Sequence, residues 1–306
     1  MEKYSKIIKY NDDIRVPILR VVGKKKGPKI VITGGIHGCE YSPIKAIYKI
    51  YEMLIAEKIK GEITLIPIFD LKGFEARKMF NCPIDNKNIN RVFPGKKTGS
   101  FSEILVYNIF NDYIKQADYY IDLHSADLIE DMIPFIEVHQ SGNKDIDERS
   151  FKLAEHYGIK DITIKRSKGK VNDMGQSYST SAENGVTSIL ANAGKIRGSE
   201  GENIHVHGLY NILKYTGNIS GNANKVEDIV YYDPPVHIKN KAKGIFISNL
   251  NPGDFIKKGE KVGDILDYTG NMKYSVKAPT GGKILLINVS LAVNEDSLLI
   301  EILHKK

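Results

Sequence analysis

Lys29-Ile30-Val31-Ile32-Thr33-Gly34-Gly35-Ile36-His37-Gly38-Cys39-Glu40-Tyr41-Ser42-Pro43 decides the fold. Its first half is a β-branched run ending in glycines, the pattern of a buried parallel strand that reaches the mouth of an α/β sheet. Ser42-Pro43 then opens a helix, with Ser as cap and Pro in the first turn; apolar Ile44, Ile47, Tyr48, Tyr51 and Leu54 carry helical spacing to about Lys58. His37 and Glu40 fall at the turn between strand and helix, on the carboxyl edge of the sheet where open α/β folds place their sites.

Further along, residues 63–69 read as a second apolar strand. Residues 71–99 are rich in Gly, Pro, Asn and Asp without periodicity, and a loop of that length in a compact domain is commonly functional. Ser100-Phe101-Ser102-Glu103 has capping-box spacing before an amphipathic helix that runs to about Ala117. Tyr119-Tyr120-Ile121-Asp122-Leu123 is the next strand, with His124 at its end. Strand and helix alternate again over residues 148–217, with a strand at Thr187 to Leu190 and a helix from about Glu202 to Tyr215. This alternation predicts an α/β fold, a mainly parallel mixed sheet flanked by helices. Past Asp233-Pro234-Pro235 the rhythm changes to short β-rich runs (244–248, 262–267, 274–278, 282–289 and 298–303), the pattern of a smaller C-terminal all-β domain. The expected domains are therefore 1–232 and 233–306.

At 306 residues the chain can bury a substantial core, and 42% hydrophobic with 26% charged residues excludes a disordered or fibrous class. The net charge of +7 comes from scattered lysines, a solvated surface rather than a nucleic-acid patch, and no aromatic-basic interleaving suggests base stacking. Such a field would steer a small anionic substrate. Residues 1–6 carry no apolar leader and no stretch approaches a membrane span, so the expectation is a cytoplasmic protein that engages neither membrane nor nucleic acid. Two cysteines, Cys39 and Cys82, are too few for a disulfide scaffold and agree with a reducing compartment. A homo-oligomer is left open.

His37, Glu40 and strand-ending His124 offer two imidazoles and one carboxylate, which leave a fourth position for water in the manner of hydrolytic zinc sites. Asp122 is a candidate acceptor for the second ring nitrogen of His124, although in an extended strand the two point to the same face and their separation decides the matter. In the long loop, Arg91 presents a planar fork suited to a carboxylate, Asn90 stands beside it, and Arg77 is a further anion contact. Cys39, between two better ligands, reads as a bystander.

These residues carry a resemblance. Gly35-Ile36-His37-Gly38-Cys39-Glu40, then Asn88-Ile89-Asn90-Arg91-Val92-Phe93-Pro94-Gly95, then Asp122-Leu123-His124-Ser125 match in order the main motifs of the succinylglutamate desuccinylase and aspartoacylase family, itself similar to zinc carboxypeptidases. The resemblance implies one zinc ion per chain on His37, Glu40 and His124, carboxylate recognition by Asn90 and Arg91, and hydrolysis of an N-acyl amino acid or related amide. The family carries a general-base Glu before a small residue and Gly. Ungapped placement puts Asn192 of Ser188-Ile189-Leu190-Ala191-Asn192-Ala193-Gly194 there, and an amide cannot accept a proton at neutral pH. Glu202, Glu200 and Glu183 are the substitutes available, each with a surface reading as helix acids. The expectation is thus a deacylase, with a catalytically impaired zinc-containing binding protein as the alternative. The tail resembles the barrel-sandwich fold of biotinyl and lipoyl carriers. Met272-Lys273 lacks the second Met of their motif, so the expected role is to wall an entrance or support an oligomer rather than to carry a group on Lys273.

Overall fold

The computed structural model describes residues 1–166, 175–195 and 197–305. They form two compact units, one of Met1–Ser125 with Pro134–Val230, the other of Ala126–Ile133 with Tyr231–Lys306.

The first unit is built on strands β1 (Glu2–Lys9), β2 (Arg15–Val22), β3 (Lys25–Thr33), β4 (Lys60–Ile66), β5 (Tyr119–His124), β7 (Phe135–Gln140), β8 (Asp161–Arg166) and β9 (Thr187–Asn192), with β6 (Glu130–Met132) belonging to the other unit. The sheet order is β1-β2-β4-β3-β5-β9-β7-β8, closed by β10 (Val230–Tyr232), where the chain leaves the unit. The β4-β3-β5-β9 block is parallel, whereas β1 with β2, β2 with β4, and β7 with β9 are antiparallel, so the sheet is mixed. From β3 the chain crosses to β4 on one side and later to β5 on the other. That reversal opens a crevice at the carboxyl ends of β3 and β5, the switch point where such sheets bind ligands.

Alternation along the strands divides the core. Ile30, Ile32, Ile121, Leu123, Ile189 and Ala191 pack with helices α1 (Tyr41–Met53), α4 (Lys144–Glu155) and α6 (Glu200–Tyr215). Val31, Tyr120 and Leu190 face the other way, against α3 (Phe101–Asp112) and α5 (Ser177–Glu183). A short α2 (Leu71–Glu75) lies in the long loop. Among the described residues no helix is long and apolar enough to cross a membrane.

Several local expectations change. The N-terminal residues are not irregular: they form the β1–β2 hairpin, whose lysine-rich outer strand suits a sheet edge and whose inner strand buries Val16, Ile18, Leu19 and Val21. Helix α1 starts at Tyr41 with Glu40 in the cap position, and it makes no side-chain cap because its carboxylate is turned to the histidines. Ser42, expected as the cap, sits inside the helix and donates its hydroxyl to the Lys195 carbonyl. The helix stops at Met53, where Leu54 goes extended and buries its side chain. The capping box expected at Ser100 is present, its N–H donating to Glu103 Oε2 at 3.0 Å.

The second unit contains β11 (Val236–Lys239), β12 (Gly244–Ile247), β13 (Phe255–Ile256), β14 (Lys261–Leu266), β15 (Met272–Lys277), β16 (Gly282–Asn288), β17 (Ala292–Val293) and β18 (Leu298–Leu303). One antiparallel sheet runs β11-β18-β16-β13, with β6 added beside β16; the other runs β15-β14-β12-β17. Phe246, Val262, Ile265, Ile284, Ile300 and Ile302 fill the space between. Residues 126–133, which the sequence groups with the first domain, pair here instead: Met132 opposes Leu286, and β6 supplies backbone partners along one edge of β16. Lys273 lies on β15, its ammonium donating to the Lys243 carbonyl at 2.9 Å.

Candidate metal centre

His37 and Glu40 leave the carboxyl end of β3 on a tight turn in which the Glu40 N–H returns to the His37 carbonyl. His124 is the last residue of the adjoining β5. The three side chains converge, and one ligand atom from each lies within 4.8 Å of the others. All three are buried. His37 Nδ1 stands 2.6 Å from Glu40 Oε1 and His124 Nδ1 stands 2.8 Å from Glu40 Oε2. The rings are tilted, with centroids 5.1 Å apart.

Both far nitrogens have protein acceptors. His37 Nε2 donates to Asn88 Oδ1 at 3.2 Å, and His124 Nε2 donates to Asp122 Oδ2 at 3.0 Å. Asp122, fully buried, accepts in addition from Thr33 Oγ1 at 2.9 Å and from the Ser177 hydroxyl. With each Nε2 holding a proton, a neutral imidazole turns a bare lone pair at Nδ1 toward a carboxylate oxygen. Lone pair facing lone pair at such distances is relieved by a positive charge between them, either a metal ion or a proton taken up at Nδ1. Burial opposes charge on His124, but Glu40 and Asp122 outweigh it and hold its pKa well above the ordinary value. Burial likewise opposes the Glu40 carboxylate, yet the two histidines bring it down to about 2. The donor set therefore fits a divalent metal with nitrogen and oxygen preference.

Asn90 is buried behind His124. Its Oδ1 accepts from the Ser177 N–H at 2.8 Å, which fixes the amide orientation and leaves Nδ2 3.3 Å from His124 Nε2. In the tautomer that donates to Asp122 this last contact joins two donors and is packing, not a hydrogen bond. Arg91 is exposed and donates Nη1 to the Asn90 carbonyl at 2.7 Å. Arg77 is exposed just past α2 in a left-handed conformation (φ 52°), close enough for its charge to act on Tyr41.

Asn192 closes β9 directly beside His124 in the parallel register, so both side chains leave the same face of the sheet. The other carboxylates considered from sequence have different partners. Glu202 meets Lys49 Nζ at 3.4 Å on the surface of α6, Glu200 is exposed in its first turn, and Glu183 sits 2.8 Å from the buried His139. Cys39 is buried and outside the cluster of possible ligands.

Three contributors escaped the sequence reading. Asn88 belongs to a quoted motif, but its role as acceptor for His37 needs the fold. Phe80 sets its ring against His37 at 5.6 Å between centroids and supplies an apolar wall. His205, fully buried on α6, donates Nε2–H to the His124 carbonyl at 3.0 Å, and burial pushes its pKa down to about 4. The only sequence signal for it is a histidine on the apolar side of a helix, between Gly201 and Gly208.

Fold and site together define an open α/β protein with a buried donor set of two imidazoles and one carboxylate, able to hold one metal ion at the sheet's switch point. More particularly, the chain belongs to the succinylglutamate desuccinylase/aspartoacylase family, whose catalytic-domain model matches residues 26–215. It is 25% identical over 263 residues to the N-alpha-acetyl-L-2,4-diaminobutyric acid deacetylase of Halomonas elongata, covering 84% of this chain and 75% of that protein. Among solved structures it is similar to the product-bound ectoine utilization protein EutE (DoeB) of Ruegeria pomeroyi, with TM-score 0.88, 21% identity, and coverage of 98% of this chain and 95% of that one. It is similar also to the succinylglutamate desuccinylase/aspartoacylase of Rhodobacter sphaeroides, with TM-score 0.87, 20% identity, and coverage of 100% and 95%. At these identities the structural likeness is one of fold.

Proposed function

We propose that this chain is a zinc-dependent deacylase that hydrolyses the amide bond of an N-acyl amino acid or a similar small carboxylate. The observation that carries this reading is the convergence of His37, Glu40 and His124 with each Nε2 already bonded, which leaves both Nδ1 atoms and the carboxylate for one ion. Family membership and the deacetylase relative support it.

When bound there, zinc would supply Lewis acidity to the acyl carbonyl and lower the pKa of water at the site. Asp122 keeps the His124 ring oriented and in the right tautomer. Arg91 would hold the substrate carboxylate through its fork, with the Asn90 Nδ2 beside it and Arg77 as a second cation at longer range. Phe80 would exclude water on the His37 side. Asn192 can orient water or substrate by hydrogen bonding but cannot take a proton, so turnover would be slow relative to a site with a carboxylate there. We read the C-terminal unit as barrel-sandwich-like and unmodified at Lys273, a reading supported by its two antiparallel sheets and by the Lys243 contact.

A second reading is favoured by Asn192: a zinc-containing binding protein that retains the pocket without efficient catalysis. One experiment separates them. The zinc-loaded protein is assayed on a panel of N-acyl amino acids that begins with N-acetylated diamino acids, and binding is followed by calorimetry. Chelator-sensitive turnover supports the deacylase; saturable binding with no release of acyl group supports the binding protein. Turnover indifferent to chelation would sink the zinc reading.

A further inference from the structure

Gly201, His205 and Gly208 share one buried face of helix α6, spaced i, i+4 and i+7. At Gly201 a Cβ would run into the Gly194 backbone and lie 2.6 Å from the Ala193 carbonyl oxygen. At Gly208 a Cβ would come within 2.5 Å of the Tyr157 ring. The two glycines thus let the helix close onto the chain that leaves β9 and onto Tyr157. His205 stands between them and is fully enclosed. Its ring bonds on both sides: the Tyr157 hydroxyl donates to Nδ1 at 2.8 Å, and Nε2–H donates to the His124 carbonyl at 3.0 Å. A carbonyl can only accept, so the tautomer is set by the backbone of His124 itself. That carbonyl also receives the Ala193 N–H at 3.0 Å, at the point where β5 and β9 end side by side.

We infer that His205 is a positioning residue of the metal centre: through the His124 carbonyl it fixes the end of β5 and thereby where His124 Nδ1 stands relative to His37 and Glu40. The inference rests on the zinc reading of the site. Histidine suits the task because it spans from Tyr157 to the strand end and satisfies a donor on one side and an acceptor on the other. An apolar residue would leave the Tyr157 hydroxyl buried without an acceptor.

Two substitutions divide the roles of the ring. In His205→Gln the amide N–H can take the place of Nε2–H on the His124 carbonyl. In His205→Asn the side-chain oxygen can take the place of Nδ1 for Tyr157, but the side chain is too short to reach His124. Zinc affinity is measured on the full chain by competition with a chromophoric chelator, alongside the melting temperature of the metal-free protein. Both variants should lower the melting temperature to a similar degree; His205→Asn should weaken zinc binding by ~10–100-fold while His205→Gln stays within about threefold of the unaltered chain. Equal weakening in both, or none in either, overturns the positioning role. If His205→Asn fails to fold, the double variant Tyr157→Phe/His205→Leu replaces it, which removes the bond to the His124 carbonyl and leaves no hydroxyl unpaired: zinc binding weakened ~10–100-fold with the fold retained supports the role, and unchanged affinity overturns it. Absence of saturable zinc binding by the unaltered chain overturns the zinc reading together with this inference, whereas zinc binding unmoved by these variants overturns this inference alone.

Discussion

Asp122 Oδ2 lies 3.0 Å from His124 Nε2, although the two residues are only two apart on one strand. Side chains so spaced stand on the same face, two residue rises or about 7 Å apart along the strand. Contact arises because His124 ends the strand and folds its ring back over Asp122, which is held in place by Thr33 and Ser177. Replacing Asp122 by Asn should weaken metal binding by ~10–100-fold, since the acceptor that fixes ring and tautomer is impaired. Chelator competition against the unaltered protein measures this, and undiminished affinity would remove Asp122 from the support of the site.

Arg91 is exposed, with one of its guanidinium nitrogens on the Asn90 carbonyl and no further hydrogen bond from the fork among the described residues. Loss of a charge-assisted pair of hydrogen bonds to carboxylate costs about 1.5–3 kcal/mol, so Arg91→Ala should raise KM by ~10–150-fold with kcat less affected. Arg91→Lys should recover only part of the loss, because an ammonium cannot bind both carboxylate oxygens in plane. A KM unaltered in both variants would assign carboxylate recognition elsewhere.

Asn192→Glu should raise turnover on the best N-acyl amino acid by ~10²–10⁴-fold, the ordinary worth of a general base. The register beside His124 puts the new carboxylate at the centre rather than on the surface. Robust turnover by the natural chain, reduced by this change, would mean that Asn192 serves as an amide and that the proton goes to another group.

Asp70 makes a pH prediction. Burial, chiefly, pushes its carboxyl up to about 6, while it caps α2 through the Gly73 N–H at 2.9 Å. Its pKa in the unfolded chain is about 4, so between these values the folded state holds a proton that the unfolded state has lost. The contribution is therefore fully present below pH ~4 and is lost as pH rises through ~6, to a limit of roughly 3 kcal/mol. Asp70→Asn keeps the cap and removes the titration. Urea titrations of the metal-free proteins should show the variant gaining on the natural chain from pH 4 to 7, with no further change to pH 8. Parallel curves would mean that Asp70 stays ionised in the fold.

The parts legible in the sequence were those whose signal is local. The strand through Thr33, the turn with His37 and Glu40, and the strand ending at His124 each announce themselves within about fifteen residues, and their order carried the family. The outer hairpin was not legible, because its first strand is a solvated edge of lysines and tyrosine with no buried alternation. Nor was β6, whose three residues form a strand only against β16, more than 150 positions later. Within the site, Asn88 reaches His37 from 51 residues away and His205 reaches His124 from 81. No spacing rule finds partners that only the fold brings together.

The bonding of Asp122 has a consequence for protein engineering. Its carboxylate gathers a hydroxyl from β3, a hydroxyl from α5 and an imidazole from its own strand, drawing on residues 33, 177 and 124. The centre is therefore not portable. Transplanting His37, Glu40 and His124 onto another sheet would move the ligands and leave behind the scaffold that aims them, and a circular permutant could be opened safely only where Thr33, Asp122 and Ser177 stay on intact elements.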